Sequence, residues 1–296
     1  MTQKNFIKKI ILGTAQFGEK YGITNKAGST KNHEIKKILK ICKTEKIKFI
    51  DSAMNYGKAE KKLGLNSLKD FKIITKIPSV PINKKDVKSW VVKITERTLK
   101  KLKQKHLHAI LVHDSSNLVG SQKNELYEAM SHLKKTGLTK KIGVSIYDFK
   151  EMKKIISEYK IDIVQVPFNI LDRRILDKKL LNLLKRKKIE IHARSIFLQG
   201  LLLSNEYIRF KKFRKFKKLW NDIDKYCIKI KTNVLNLALN YVLSKKQIKR
   251  VVIGFEDSKQ LKQILVNINN FKKKTNFDKL ISRSELLINP NNWKKI

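Results

Sequence analysis

The chain has 296 residues, 41% of them hydrophobic, enough to bury one sizeable core, and no apolar run approaches the ~18 residues of a membrane helix. Lys and Arg number 68 against 25 Asp and Glu, a formal net charge of +43 that raises the question of nucleic acid or an anionic surface. Only nine of the basic residues are Arg, and the lysines run through nearly every helical segment without forming an aromatic-interleaved stripe, so neither nucleic acid nor membrane is an expected partner.

The first nine residues are polar and basic, and Ile10–Leu12 has no small-residue cleavage site after it, so no secretory leader is expected and the cytoplasm is the expected compartment. Eight short β-rich runs then follow: Ile10–Gly13, Ile47–Ser52, Lys72–Lys76, Leu107–His113, Lys141–Ser145, Ile161–Val166, Ile189–Arg194 and Arg250–Gly254. Between them apolar residues recur at i, i+3 and i+4, predicting helices over Asn32–Cys42, Lys84–Leu102, Asn124–Leu133, Phe149–Glu158, Leu176–Leu184 and Ser258–Ile268. Asn205–Lys245 has no strand and reads as an insertion after the seventh strand, ending in a helix through Val234–Val242. The tail is Lys-rich from Asn270 to Leu280, and Leu286, Leu287 and Trp293 then suggest a segment folded back on the core. Cys42 and Cys227 lie far apart on helical segments and read as reduced core fillers.

Strands alternating with helices give one α/β domain over residues 1–296 with a parallel sheet, either closed as a (β/α)8 TIM barrel or open and doubly wound. The first strand-to-helix turn reads Gly13-Thr14-Ala15-Gln16-Phe17-Gly18, without the Gly-x-Gly-x-x-Gly of an open dinucleotide fold, which favours the barrel.

Barrel chemistry is carried by the C-terminal ends of the strands. The second strand ends near Asp51 and leads to Tyr56, the third ends at Lys76, and the fourth at His113. Carbonyl reduction needs a proton donor and a group that polarises the oxygen as charge builds on it. Lys76 beside Tyr56 is expected to favour the phenolate and lower the phenol's pKa, and Asp51 on the neighbouring strand to hold that ammonium in place. Singly, each residue has a bland reading: Asp51 a cap, Lys76 one lysine among many, Tyr56 a half-buried aromatic, and His113 a structural histidine like His192. Their coincidence at adjacent strand ends points to chemistry.

These segments resemble the aldo-keto reductase family. Leu12–Gly18 is similar to its Gly-Thr strand-loop, Ile50–Gly57 to its Asp-Thr-Ala-x-x-Tyr-Gly signature, Ile74–Lys76 to its Thr-Lys strand end, and Leu111–His113 to its hydrophobic-His end. The resemblance implies Tyr56 as acid/base in a tetrad with Asp51, Lys76 and His113, and no metal. Ile142–Ser145 and Gln165-Val166 resemble the segments that hold the nicotinamide carboxamide, which implies contacts from Ser145 and Gln165. Ile146 stands where the family has Asn, and Asn169 is the candidate replacement.

Ala193–Leu202 resembles the loop after the seventh strand, with Arg194 in place of the ring-stacking aromatic and with Ser195, Leu198 and Gly200 along it; this variant resembles bacterial members linked to sugar and polysaccharide pathways. Val252–Leu261 resembles the adenosine-phosphate loop, which implies cofactor contacts from Gly254, Ser258 and Gln260, alongside Gly13, Thr14 and Asp51. NADP(H) is the family default; Gly254 and Gln260 stand where basic residues often stand and Glu256 would repel a phosphate, while Lys259 and Lys262 partly compensate, so NAD(H) stays open. The implied function is hydride transfer between NAD(P)(H) and an aldehyde, ketone or sugar-like carbonyl, or its alcohol. Two alternatives remain: a non-catalytic cofactor-binding sensor or interaction subunit on the same barrel, and a Schiff-base lyase using Lys76.

Overall fold

The computed structural model describes residues 3–269 and 280–296. Its strands are β1 (Ile10–Gly13), β2 (Phe49–Asp51), β3 (Lys72–Ile77), β4 (Ala109–Val112), β5 (Ile142–Ser145), β6 (Ile163–Pro167), β7 (Glu190–Arg194) and β8 (Arg250–Gly254). Each is parallel to its neighbours, and β8 pairs with β1 to close the barrel, excluding the open sheet. The runs expected over Ile47–Ser52 and Leu107–His113 are longer than β2 and β4. Ile47 N–H instead bonds Cys42 O at the preceding helix end, and Leu107 forms an isolated bridge with Thr139.

The surrounding helices are α1 (Asn32–Thr44), α2 (Ala59–Leu63), α3 (Val87–Leu102), α4 (Lys123–Lys135), α5 (Phe149–Glu158), α6 (Lys178–Arg186), α7 (Lys217–Lys229), α8 (Val234–Ser244) and α9 (Ser258–Asn269). Caps set their starts. Asp86 Oδ1 accepts from Ser89 N–H and Asp177 Oδ1 from Leu180 N–H, so α3 and α6 begin later than the apolar spacing suggests. The expected insertion contains α7 and a further helix, Glu206–Lys212. Leu287 and Trp293 of the tail are buried, and the Trp293 ring meets Phe213 edge-on at 5.1 Å, so the tail does fold back. Most of the Lys-rich stretch before it, 270–279, lies outside the described residues. Cys42 and Cys227 are both buried and free. Among the described residues, no helix is long and apolar enough to cross a membrane.

Alternation along the strands organises the barrel interior. Ile11, Phe49, Ile74, Ala109, Leu111 and Ile163 form an inner core separate from the larger core between sheet and helices. At the N-terminal end the interior is charged: Arg250 lies 3.3 Å from the Phe49 ring centroid, and Lys141 pairs with Glu190 at 2.7 Å. Two residues beyond the apolar layer, at the C-terminal end, the same inward rows present Gly13, Asp51, Lys76, His113 and Gln165. His192 is in register with Gln165, so Arg194 belongs to this upper layer as well.

Candidate active site

Tyr56 is not on a strand. It ends a tight turn closed by Tyr56 N–H to Ala53 O at 3.1 Å, while Met54 N–H bonds Lys76 O at 3.1 Å and ties the turn to β3. The turn is placed by glycine. A Cβ on Gly18 would collide with Tyr56 O, and Gly57 adopts φ +47° with its missing Cβ 2.8 Å from Gly18 O. The two loops therefore meet backbone to backbone, an approach that no larger residue permits.

Lys76 is 1% exposed and Asp51 3%, and Lys76 Nζ donates to Asp51 Oδ1 at 2.5 Å and to Ser52 O at 2.8 Å. The second carboxylate oxygen, Oδ2, accepts from Gln165 Nε2 at 2.8 Å across the barrel. Such pairing is what a buried charge requires, since either partner left alone would be strongly destabilising. Burial still lowers the Lys76 pKa, with Asp51 opposing.

The ammonium stands 5.2 Å from the Tyr56 ring centroid. Sequence reasoning expects Lys76 to make the phenol more acidic; the structure gives the opposite direction. Burial first, and the Asp51 carboxylate second, raise the Tyr56 pKa, with Arg194 opposing. Desolvation outweighs the neighbouring positive charge, so Tyr56 is a protonated phenol at neutral pH.

His113 meets Tyr56 edge-on with ring centroids 5.6 Å apart. Burial and then the charges of Lys76 and Arg194 lower its pKa to about 4, so the imidazole is neutral at pH 7. Its Nδ1 lies 2.9 Å from Asn55 Oδ1. Asn55, next to Tyr56 in sequence, is a neighbour of the candidate site that sequence reasoning missed, because nothing local shows that it reaches across to His113.

The cofactor-facing candidates fall into two groups. Ser145 and Gln165 are buried at the mouth, and among the described residues Ser145 Oγ and Gln165 Oε1 make no hydrogen bond, leaving polar atoms that suit a carboxamide. Asn169 does not join them. Its Nδ2 donates to Ser195 O and its Oδ1 accepts from Leu171 and Asp172 N–H, so its amide is used within its own loop. Arg194 stacks on Tyr147, with its guanidinium carbon 3.8 Å from the ring centroid, and donates to Ile146 O and Ser195 Oγ. Ser195, Leu198, Gln199 and Gly200 all have positive φ, coiling this segment tightly at the mouth.

The second group is the loop after β8. Ser258 N–H at the start of α9 donates to Glu34 Oε2 at 2.9 Å, Gln260 N–H to Asp257 Oδ1 at 2.8 Å, and Glu256 N–H to Gln260 Oε1 at 2.9 Å. Protein acceptors, two of them carboxylates, thus occupy these backbone donors. Gly254 lies against Gln16, whose side-chain amide a Cβ there would strike. Among the described residues, no group of three His, Cys, Asp or Glu could hold a metal ion.

Comparison with known proteins agrees with this architecture. Among curated proteins no relative matches. Solved structures share the fold: the aldo-keto reductase AKR11C1 from Bacillus halodurans superposes with a TM-score of 0.74 at 16% identity, covering 96% of this chain and 95% of that one. The glycerol dehydrogenase AKR11B4 from Gluconobacter oxydans superposes with a TM-score of 0.68 at 19% identity, covering 96% and 93%. The sequence pattern of the aldo/keto reductase family matches residues 9–282. Because that match spans nearly the whole barrel, the chain belongs to the aldo/keto reductase family and is an NAD(P)H-dependent carbonyl oxidoreductase.

Proposed function

We propose that this enzyme reduces an aldehyde, ketone or sugar-like carbonyl with Tyr56 as the general acid. The observation that carries the reading is the convergence, at one barrel mouth, of a buried protonated phenol, an ammonium paired with Asp51, and a neutral imidazole. A bound nicotinamide supplies the hydride.

The substrate oxygen is received between Tyr56 and His113. Tyr56 Oη gives up its proton as negative charge reaches that oxygen, and Lys76 stabilises the phenolate that remains. Asp51 and the Ser52 carbonyl fix Lys76 for this task; with two hydrogen bonds already made, its nitrogen suits an electrostatic role better than a Schiff-base one.

Ser145 and Gln165 would hold the carboxamide, and Arg194, Ser195, Leu198 and Gly200 would line the nicotinamide side. Gly254, Ser258 and Gln260 would face the adenosine end, with Gly13 and Thr14 between. Phosphate sites in such barrels use the loops after the seventh and eighth strands. Here Glu34 and Asp257 already hold amides of that loop and would oppose a 2'-phosphate, so the reading favours NAD(H) over the family-default NADP(H). The test is oxidation of NADH and NADPH by the pure protein across a panel of aldehydes and aldoses, with Tyr56→Phe in parallel. Turnover by the wild type that collapses in the variant while cofactor binding persists supports the reading; no binding of either cofactor at millimolar concentration contradicts it.

A further inference from the structure

Arg194 ends β7 at the mouth, and its charge acts on Tyr21, Tyr56, Lys76 and His113 alike. A guanidinium carries five N–H donors. Two are used, Nη2 to Ile146 O at 2.9 Å and Nη1 to Ser195 Oγ at 3.3 Å, and Nε has no partner. Tyr147 covers one face, which fixes the plane of the fork.

Carboxylates also stand near the mouth, Glu19 close enough to act on Tyr56 and Asp114 on His113. Asp51 and Lys76 neutralise one another, while Tyr56 and His113 are uncharged at pH 7. Among the described residues Arg194 has no salt bridge, whereas Arg174 pairs with Asp172 and Glu285, and Arg209 with Asp224. Arg194 is thus a cation at the mouth that no carboxylate pairs among the described residues, with unused donors beside the candidate acid.

We propose that Arg194 is a specificity-determining residue whose fork receives a carboxylate of the substrate, so that the substrate class is an aldehydo or keto acid; this rests on the carbonyl-reductase reading above. A planar carboxylate matches the guanidinium edge and supplies the missing counter-charge. Stacking against a ring uses the face of the guanidinium and leaves that edge free. A role limited to stabilising the developing alkoxide would aid every carbonyl equally, and substrate comparison separates the two.

The experiment measures kcat/KM for succinate semialdehyde and for butyraldehyde, which share a four-carbon chain with and without a carboxylate, in wild type, Arg194→Gln and Arg194→Lys. The readout is the acid-to-neutral ratio, in which any loss common to both substrates, including weaker cofactor binding, cancels. The ratio falls roughly 10- to 100-fold in Arg194→Gln, the range of a lost charge-assisted contact, and by less in Arg194→Lys. An unchanged ratio overturns the proposal while butyraldehyde turnover leaves the reductase reading standing. If neither aldehyde is turned over, titration of succinate followed through the His113 ring resonances decides: a saturable shift lost in Arg194→Gln supports the carboxylate site, and equal behaviour of the two proteins overturns it.

Discussion

Asn55 Oδ1 lies 2.9 Å from His113 Nδ1, so the residue preceding the candidate acid addresses the ring that shares its pocket. A neutral imidazole has one N–H, and the hydrogen bond at one nitrogen decides whether the other donates or accepts. The Asn55 amide can be turned either way, since its O and N are assigned from such contacts. With its NH2 towards Nδ1, His113 presents an Nε2–H to the substrate oxygen. Asn55→Asp can only accept, which pins the proton on Nδ1 and leaves Nε2 bare. That variant lowers kcat/KM by about tenfold or more and raises the His113 pKa from about 4, with Asn55→Ala less severe on both. Ring 15N shifts and the pH profile check this; an Asn55→Asp enzyme indistinguishable from wild type rejects it.

Gly18 and Tyr56 are coupled through backbone contact alone. Gly18→Ala must displace the turn that carries Tyr56, and a shift near 1 Å at a reacting group costs about 100-fold in rate. Gly28→Ala is the control: its φ of +79° is strained, but its Cβ meets nothing within 4 Å. Activity falls far more in Gly18→Ala than in Gly28→Ala at matched thermal stability; equal losses would show that the contact does not position Tyr56.

Cofactor choice tests the loop after β8. Glu34 accepts from Ser258 N–H and is held 2.8 Å from Lys37, which with Ser258 lowers its pKa to about 2, so it is charged under all working conditions. By fluorescence titration, NADH binds tighter than NADPH, and Glu34→Gln narrows the gap by loosening the carboxylate's hold on the Ser258 amide. A wild-type preference for NADPH would contradict this account of the loop.

Acid sensitivity follows from the buried histidines. Burial lowers the pKa values of His108 and His113 to about 4, and that of His192 below its ordinary 6.5. The unfolded chain therefore takes up protons at higher pH than the folded one, and stability falls as pH drops from about 6.5 towards about 4. Each group contributes at most about 1.4 kcal/mol per pH unit, less for the half-exposed His108. Glu190, lowered to about 2 by His192 and Lys141, contributes above its ordinary 4.5 and adds loss only as pH falls further. Urea midpoints at pH 7, 6 and 5 decline steadily, and His113→Gln flattens the decline; a flat profile in wild type would refute it.

Strand order and the clustering of Asp51, Lys76 and His113 were legible because both depend on short spacings: β-rich runs between helical periods, and side chains two residues beyond an apolar inward position. Asp51, Lys76 and His113 follow Phe49, Ile74 and Leu111 by that period, so alternation alone carries them to one layer. Contacts between distant loops were not legible. Asn55 on His113, Glu34 on Ser258 and Gly18 on Tyr56 join residues whose partners become neighbours only when the barrel closes. The direction of the Tyr56 shift differs from the expectation for a similar reason: it is set by how fully the closed barrel buries the phenol and by the approach of the Asp51 carboxylate, and neither is visible in the sequence. The short α2 was missed because five residues carry too little periodicity, although it buries Glu60 between Thr75 and Thr98.

The central claim is hydride transfer to a carbonyl with Tyr56 supplying the proton. The most direct measurement is mass spectrometry of the alcohol formed from a simple aldehyde with NADH or NADPH dideuterated at C4, for wild type and Tyr56→Phe. One deuterium in the wild-type product, with formation at least about 100-fold slower in the variant, is the predicted result. Alcohol without deuterium, or labelled alcohol formed equally fast by both proteins, would contradict it.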